Sequence, residues 1–590
     1  MCEPVRTHIS AISHPVNCRS FECNRVDELV TMMPKLMSNG GYAAVLGASM
    51  LALVPFLMGP FQVELVALAL LYGLFAFGLD IAWGRAGIVS IGQAIFFGCG
   101  AYGVGLAAKF GIWTGWGFVG AISVSCVIAA AVGGAGLRRA SSPSTMAVLT
   151  LALALLAEKA AITWVGVTGG SNGLFVAPPS DTNMYYWSTL GVIASVVLLT
   201  KSCILDRRLG NRLTAIRLNE QRAEHLGIEI HSTRVIAFVT GAAIAALAGA
   251  MAAPLITTIT PDRVGILLST QALVWVALGG RGTLVGPFAG ALLAVYGQDA
   301  LAGSVGDYYL LILGVLFVLS VLFMPRGIVG LFEKGEHVAP VKPQDMGKPG
   351  LAKDTGTAGI SLETRDLVVS LGGSTIINKL DLSIRASEIV CVIGPNGAGK
   401  STMLNAVSGL LPSSGGSILL KDRNVTETSS STRVRLGLSR TFQVPSLFPE
   451  LTVGDHMILA RQEGGASEVQ PERYRRLEKT RWDVPVGKLS LGERRMLEIA
   501  MALARRPDVL LLDEPAAGLA RNESELVVDD LKELRQKTGC AIVCVEHDME
   551  LVRKLADRVI CLHQGRILKE GTMDQVAADP EVRRSYLGQR

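Results

Sequence analysis

Long apolar runs separated by short polar breaks fill the chain from about residue 40 to residue 330. The runs Tyr42–Gly59, Val63–Trp83, Ala86–Ala108, Trp116–Leu137 and Val235–Ile259 are long enough, at about 1.5 Å per helical residue, to cross a hydrocarbon layer about 30 Å thick. Further apolar segments at Ser144–Val165, Tyr186–Leu205, Gly265–Gly279, Leu284–Leu301 and Tyr308–Met324 bring the expected number of spans to ten. Eight is the alternative, if the Gly-rich breaks near 84–87 and 279–286 hide a re-entrant piece. After Ser361 the pattern changes. Short β-rich runs, Ile389–Ile393, Val509–Leu512, Ile542–Val545 and Val559–Leu562, alternate with helical stretches, as in a parallel sheet covered on both faces. Between the two regions, Glu333–Gly359 carries Pro340, Pro343, Pro349 and many Gly, Lys and Asp residues, the composition of a flexible linker. The expected organisation is a polar tail over 1–39, a helical polytopic membrane domain over 40–332, a linker over 333–360 and an α/β domain over 361–590.

Composition agrees. Half of the 590 residues are hydrophobic, too large and apolar a chain for one soluble domain. Only 15 basic and 11 acidic residues fall between Gly40 and Gly330, so 26 of the 105 charges serve the apolar half. The net charge of +5 and the absence of a basic stripe interleaved with aromatics give no indication of a nucleic-acid partner. Basic residues instead mark loops kept on the cytoplasmic side: Arg138-Arg139, the stretch Lys201–Arg234, and Arg326 with Lys334. With ten spans all three fall on the side of the N-terminal tail. The tail lacks the apolar core and cleavage site of a secretory signal, and a start at Met32, Met33 or Met37 accounts for it equally well. Cys540 and Cys544 flank the apolar run Ala541-Ile542-Val543 and are read as buried structural residues.

Glycines inside the spans, such as Gly100 and Gly249, are read first as close-packing points between helices. Glu158 and Lys159, adjacent within a span, mark either a pathway or an interfacial pair with a local partner, and neither reading is preferred. The loop from Asp206 to Arg234 holds an expected amphipathic helix, Arg212–Leu226, with Leu213, Ile216, Ala223 and Leu226 at helical spacing and Gly227 as its stop. Arg212, Leu213, Ile216, Arg217, Asn219 and Glu220 are its candidate docking residues. The favoured reading is a coupling helix seated on a nucleotide-binding domain; the alternative is a helix lying on lipid headgroups.

The strand Ile389–Ile393 runs into Gly394-Pro395-Asn396-Gly397-Ala398-Gly399-Lys400-Ser401-Thr402, a phosphate-binding loop in its strand–loop–helix setting. The glycines let backbone N–H groups close around phosphate oxygens, Lys400 neutralises the outer phosphates, and the Ser401 hydroxyl is placed to ligate Mg²⁺. The strand Val509–Leu512 ends in Asp513-Glu514-Pro515. Asp513 is the expected Mg²⁺ partner and Glu514 the expected general base. The next strand ends in Glu546-His547-Asp548, which puts His547 in reach of the γ-phosphate.

With these motifs in order, the last 230 or so residues resemble an ABC ATPase, and ATP with Mg²⁺ is the implied cofactor pair. The resemblance makes Gln443, in Arg440-Thr441-Phe442-Gln443, the Q-loop residue, expected at the metal and facing the coupling helix. It makes Leu489-Ser490-Leu491-Gly492-Glu493 the signature, whose Ser490, Gly492 and Glu493 complete the ATP site of an opposing ATPase. Leu491 and Glu493 replace the commoner Gly and Gln, Leu371 stands where an aromatic usually stacks on adenine, and the segment between Ala460 and Leu489 is short and polar for a helical subdomain with contacts to the permease. Phe448-Pro449-Glu450-Leu451-Thr452-Val453, Leu497-Glu498-Ile499-Ala500, Ala516-Ala517-Gly518-Leu519 and Glu546-His547-Asp548-Met549 are similar to the ATPases of branched-chain amino acid importers. In the membrane half, Ala215-Ile216-Arg217-Leu218-Asn219-Glu220, Thr168-Gly169-Gly170-Ser171-Asn172-Gly173-Leu174 and Met324-Pro325-Arg326-Gly327 resemble the permease of the same family. Trp275–Leu284 and the last span are also similar to urea and short-chain amide permeases. The resemblance implies ATP-driven import across the cytoplasmic (inner) membrane, with the ATPase facing the cytoplasm. It also implies a second permease, a second ATPase (or a second copy of this chain) and an extracytoplasmic binding protein. An exporter is disfavoured because the spans are short and numerous.

Overall fold

The computed structural model describes residues 39–137, 143–205, 208–305, 308–323, 327–332, 359–464 and 472–585. The N-terminal tail, most of the linker, Arg138-Arg139, Arg207, Arg326 and Lys334 lie outside the described residues.

Ten apolar helices occupy the expected positions: Asn39–Leu57, Pro60–Asp80, Ala94–Lys109, Thr114–Gly136, Pro143–Thr163, Thr182–Thr200, Ile230–Ile256, Ile266–Gly279, Gly286–Val305 and Tyr309–Phe323. Among the described residues, five segments are long and apolar enough to cross a membrane by length and composition. Ala94–Lys109 and Ile266–Gly279 are shorter, at 16 and 14 residues. Pro60–Asp80 is the central element: 89% of the most apolar window in Pro60–Arg85 is buried, against 22% for Thr114–Gly136. It continues through a π turn, Ile81–Arg85, into the first Gly-rich break. The second break meets it there, with Gly282 N donating to Asp80 Oδ1 at 2.8 Å and Arg281 Nη2 to Trp83 O at 3.0 Å.

Two of the span glycines sit where helices cross closely. A Cβ at Gly100 would lie 1.9 Å from Ala246 O and one at Gly249 would lie 1.8 Å from Phe97 O. Ala94–Lys109 and Ile230–Ile256 therefore approach backbone to backbone, which side chains of any size forbid. Two short non-helical pieces sit beside them, joined by strands β1 (Leu174–Phe175) and β2 (Thr258–Ile259), which pair antiparallel.

The C-terminal part is built on two sheets. An antiparallel sheet has the order β4–β3–β6–β7, from β3 (Ile360–Leu371), β4 (Ser374–Arg385), β6 (Gly415–Leu420) and β7 (Arg423–Asn424). The larger sheet has the order β12–β11–β5–β10–β9–β8, with β5 (Ile389–Ile393), β8 (Leu438–Arg440), β9 (Val509–Asp513), β10 (Ala541–Val545), β11 (Arg558–His563) and β12 (Arg566–Gly571). It is parallel except for β12. Strands β5, β9 and β10 are wholly buried, as continuous Val/Ile/Leu runs require, and Cys540 and Cys544 are buried as expected.

Between Ala460 and Leu489 the chain is more helical than its polar composition suggests. Helices Val453–Gly464 and Glu472–Arg481 bury Met457, Leu459, Ala460, Tyr474 and Leu477 in one core with the signature helix Leu491–Leu503.

Candidate nucleotide site and its coupling interface

Strands β5, β10 and β9 are neighbours in the sheet, and their C-terminal ends deliver the three expected motifs to one edge, where ligands of open α/β sheets bind. The loop after β5 turns through Gly394, Gly397 and Gly399 at φ +152°, +81° and +101°. At Gly394 the constraint is also steric, since a Cβ would strike Leu562 O at 2.2 Å. Gly399 begins the helix Lys400–Ser408, so its first N–H groups point into the loop. Lys400 is buried, and its Nζ donates to Gly394 O at 2.7 Å and Pro395 O at 3.0 Å. Burial lowers its pKa while Glu514 and Asp513 pull it back up. Asn396 and Ser401 are exposed, Pro395 and Thr402 half-buried, and Ala398 buried.

The structure brings Glu514, Gln443 and His547 together. Gln443 Nε2 donates to Glu514 Oε2 at 3.0 Å, and His547 Nε2 lies 2.9 Å from Glu514 Oε1. Glu514 holds φ +48°, a left-handed conformation uncommon for a non-glycine residue and concentrated at functional sites. Asp513 is buried and paired with Arg440 Nη2 at 3.3 Å. Burial raises its pKa against the pull of Arg440. Its second oxygen, Oδ1, is buried without a hydrogen-bond partner. An unpaired buried carboxylate oxygen at the edge that holds the Ser401 hydroxyl is the donor set a hard cation takes from a protein, the remaining ligands being phosphate and water oxygens.

Two arginines outside the expected site residues organise the site. Arg440 also donates to Asn405 Oδ1 at 2.7 Å and Ser408 Oγ at 2.8 Å, tying β8 to the helix of the phosphate loop. Arg495, buried on the signature helix, donates to the carbonyls of Phe442, Gln443 and Glu514 at 2.5, 2.6 and 3.1 Å. It clamps the Q-loop to the residue expected to act as base.

Ser490 caps the signature helix. Its Oγ accepts from Glu493 N at 3.2 Å while Glu493 Oε2 accepts from Ser490 N at 2.9 Å, a reciprocal capping box. Glu493 also pairs with Arg481 at 3.2 Å, and these bonds lower its pKa. Its carboxylate is thus engaged within its own domain. Among the described contacts none joins Ser490, Gly492 or Glu493 to the phosphate loop of the same chain.

The loop after the sixth span departs from its expected form. Instead of one helix over Arg212–Leu226 there are two, Arg208–Leu218 and Glu220–His225. Asn219 breaks them: its extended backbone cannot continue the first, and its Oδ1 accepts from Arg222 N at 2.9 Å to cap the second. Gly227 at φ +78° ends the pair as expected. Ala215, Ile216, Ala223, Leu226 and Ile228 are buried in the core that contains Met457, Ala460, Leu497 and Ala500. The docked reading therefore displaces the headgroup one. Of the six candidates, Ile216 joins that core and Asn219 Nδ2 donates to Ser446 Oγ at 3.1 Å. Leu213 packs with the membrane helices, Arg217 lies against Gly282, and Glu220 pairs with Arg234 at 2.9 Å. Arg212 faces Glu229 electrostatically.

Several charged residues of the interface were not among the candidates. Arg222, 2% exposed, lies 3.6 Å from Glu498, itself fully buried and paired with Arg495 at 3.2 Å. Glu498 Oε1 also accepts from Phe442 N at 3.1 Å. From the opposite edge Arg435 reaches Glu229 and Gly227 O, and Arg505 reaches Leu226 O.

Comparison with known proteins agrees with this geometry in both halves. Residues 62–321 match the model of the branched-chain amino acid transport system permease component, and residues 377–517 match the ABC transporter model. The high-affinity branched-chain amino acid transport ATP-binding protein LivG of Escherichia coli K12 is 34% identical over 249 residues, covering 39% of this chain and 98% of that protein. BraF of Pseudomonas aeruginosa, described in the same words, is 32% identical over 249 residues, again covering 39% and 98%. The chain belongs to the branched-chain amino acid family of ABC transporters. It is a permease and an ABC ATPase fused in one polypeptide. As an ABC transporter it is a membrane protein that couples ATP hydrolysis to transport, with its ATPase on the cytoplasmic side, and it works with partner permease and ATPase domains.

Within this family frame, Arg222, Glu498 and Arg495 form a continuous polar path from the permease loop to the Q-loop and Glu514. Sequence motifs name residues adjacent in the chain. Arg222 and Glu498 are nearly half the chain apart, and their only local signal is a charged residue on an otherwise apolar helical face.

Proposed function

We propose that the chain imports small zwitterionic amino acids with aliphatic side chains, such as leucine, isoleucine and valine, delivered by an extracytoplasmic binding protein. The observation that carries this reading is the agreement of two halves with unrelated folds on one transport family. The functional unit pairs this permease and ATPase with a second of each, supplied by partner subunits or a second copy. The membrane domain runs over 40–332, a linker over 333–360 and the ATPase over 361–590.

In the ATP site, the Gly394–Thr402 loop and Lys400 hold the phosphates. Ser401, Gln443 and Asp513 hold Mg²⁺, which supplies charge neutralisation at the outer phosphates when bound. Glu514 polarises the attacking water while Gln443 and His547 keep its carboxylate aimed. Ser490 and Gly492 act on the nucleotide of the opposing ATPase, and Glu493 supports them by capping their helix. Closure of the two ATPases reaches the permease through the paired helices Arg208–Leu218 and Glu220–His225, biasing an alternating-access equilibrium. The test is uptake by the assembled transporter in proteoliposomes supplied with binding protein and ATP. ATP-dependent accumulation of labelled leucine is expected, whereas accumulation of labelled urea without leucine would overturn the cargo assignment and leave the transporter mechanism standing.

A further inference from the structure

The helix Ile230–Ile256 ends at Thr257, whose φ is +60°, and the chain stays non-helical until Ile266 apart from the short 3₁₀ turn Pro261–Val264. Such backbone survives at membrane depth only where protein buries it or where it borders a polar path.

Two helices measure that depth. Counting spans back from the ATPase-bound loop puts Lys109 and Pro60 at the extracytoplasmic ends of their helices. Lys109 Nζ donates to Gly166 O and Val167 O there, in an exposed position. Gly98, eleven residues before Lys109 on the same helix, packs on the turn: a Cβ there would lie 1.9 Å from Val264 Cγ1 and 3.1 Å from Arg263 O. At about 1.5 Å per residue the turn lies about 16 Å inward. Independently, Arg263 Nη1 donates to Tyr72 Oη at 2.8 Å, and Tyr72 stands twelve residues, about 18 Å, inside Pro60. In a hydrocarbon layer about 30 Å thick both rulers end near the midplane.

The turn therefore carries charges to mid-membrane. Arg263 Nε lies 3.4 Å from Asp262 Oδ2 and is buried without a hydrogen-bond partner. Glu158 brings a second carboxylate, since a Cβ at Gly265 would lie 2.6 Å from Glu158 Oε2. Tyr102, 8% exposed, has a buried hydroxyl with no hydrogen-bond partner. Trp275, 4% exposed, stacks 5.2 Å from Tyr72 and holds a buried indole N–H without an acceptor. Ionisable residues at this depth are expensive and mark pathways, and transporters place cargo sites near the midplane where helices are interrupted. Asp262 is 55% exposed, so the group is open on one side.

We propose that Arg263, Asp262 and Glu158 form the cargo site of this permease and read a zwitterion. The guanidinium takes the α-carboxylate through Nε, and the two carboxylates take the α-ammonium. The Tyr72–Trp275 shelf meets the uncharged side chain. The assignment rests on the amino acid reading above and deepens it, because paired charges of both signs match an amino acid and match neither urea nor a neutral amide.

The experiment uses the full transporter with its partner subunits in proteoliposomes. Arg263→Gln should lower leucine transported per ATP hydrolysed about 10- to 100-fold, the loss of one charge-assisted contact, while leucine-loaded binding protein still stimulates ATP hydrolysis. Arg263→Lys, which keeps the charge, should recover part of the yield. Leucine yield within threefold of wild type in Arg263→Gln would overturn the site. Should Arg263→Gln fail to assemble, Asp262→Cys decides: in membranes without binding protein, leucine should protect its thiol from alkylation while leucinamide and urea do not. Equal labelling with and without leucine overturns the proposal. Wild type that imports urea and rejects leucine would instead remove the reading beneath it, an outcome distinct from wild type and Arg263→Gln importing leucine alike.

Discussion

Glu514 is held from four directions at once. Its N–H donates to Val545 O at 2.9 Å, its carbonyl accepts from Arg495, and its two carboxylate oxygens meet Gln443 and His547. A strained left-handed backbone persists only under such over-determination, and the result is a carboxylate with a fixed direction. Glu514→Gln keeps the size and the Gln443 contact yet cannot take a proton, so turnover should fall about 10²- to 10⁴-fold with ATP still bound, measured as trapped nucleotide. Full hydrolysis by that variant would assign the base elsewhere. Lys400→Ala removes a buried charge from the phosphate loop and should weaken ATP binding about 10- to 100-fold, the worth of a charge-assisted hydrogen bond, read by equilibrium nucleotide binding. These residues were legible because each motif gathers its chemistry within a few adjacent positions at the end of a strand. Arg440 and Arg495 were not given their roles, because what they do depends on which backbone carbonyls and carboxylates the fold brings to them.

The two short helices of the coupling loop dock through an apolar face with a buried ion pair at its centre. Arg222 beside Glu498 has lost its water, and burial pushes Glu498 up against the pull of Arg222 and Arg495. Removing one partner of a buried pair leaves the other uncompensated, though Arg495 remains here to share the charge. Arg222→Met, which keeps the bulk, should therefore leave basal ATP hydrolysis near wild type while uptake per ATP drops severalfold. Restoration by a second change, Glu498→Gln, would show that the unpaired charge was the defect. The same interface should weaken in acid. His225 packs edge-on to Phe442 with ring centroids 4.8 Å apart, its Nδ1 lies 2.9 Å from Gln221 O, and its Nε2 is buried without a partner. Burial, with Arg440 and Arg222 nearby, lowers its pKa from 6.5 to about 3. Because the docked value lies below the free one, the undocked state binds the extra proton. This group leaves docking undiminished above about pH 6.5 and should weaken it as pH falls toward 3, by roughly 1.4 kcal/mol per unit. Thermal unfolding scans should show a lower midpoint at pH 5 than at pH 7, and His225→Phe should reduce that dependence. An unchanged slope would place the acid sensitivity in another group, such as buried His456. At this scale the amphipathic spacing and the Gly227 stop were readable from the chain, whereas the break at Asn219 was not. Asparagine at that position suits a helix interior poorly and a cap well, but only docking makes the cap worth more than one continuous helix.

At the scale of the molecule, the loop of this permease sits on the ATPase of the same chain, so fusion delivers one coupled pair already joined. The ATP site is not complete in that pair. Its phosphate loop, Glu514 and Gln443 share one sheet edge, but Ser490 and Gly492 make no described contact with them, and Ser490 Oγ accepts from Glu493 N of its own helix, which leaves its O–H to donate elsewhere. A helix N-terminus with exposed N–H groups can hold an anion, and on the reading proposed above that anion belongs to the nucleotide of another ATPase. Where the partner is a second copy of this chain, hydrolysis should therefore rise more than linearly with protein density when the purified chain is titrated in detergent or nanodiscs; with either kind of partner, single-chain nanodiscs should be nearly inactive. Ser490→Arg places bulk and charge at the cap and should cut turnover at the opposing nucleotide by about 10²-fold or more, the cost of losing a preorganised donor. The decisive arrangement mixes Ser490→Arg chains with Lys400→Ala chains. On the composite reading, in which the signature acts on the partner's phosphate loop, each mixed pair then holds one site with both defects and one site with neither. If the composite model is right, each mixed pair recovers about half of wild-type hydrolysis, about a quarter for a randomly assorted 1:1 mixture, whereas each variant alone stays far below that. Were the signature to act on its own phosphate loop, every site in the mixture would carry one defect and no activity would return.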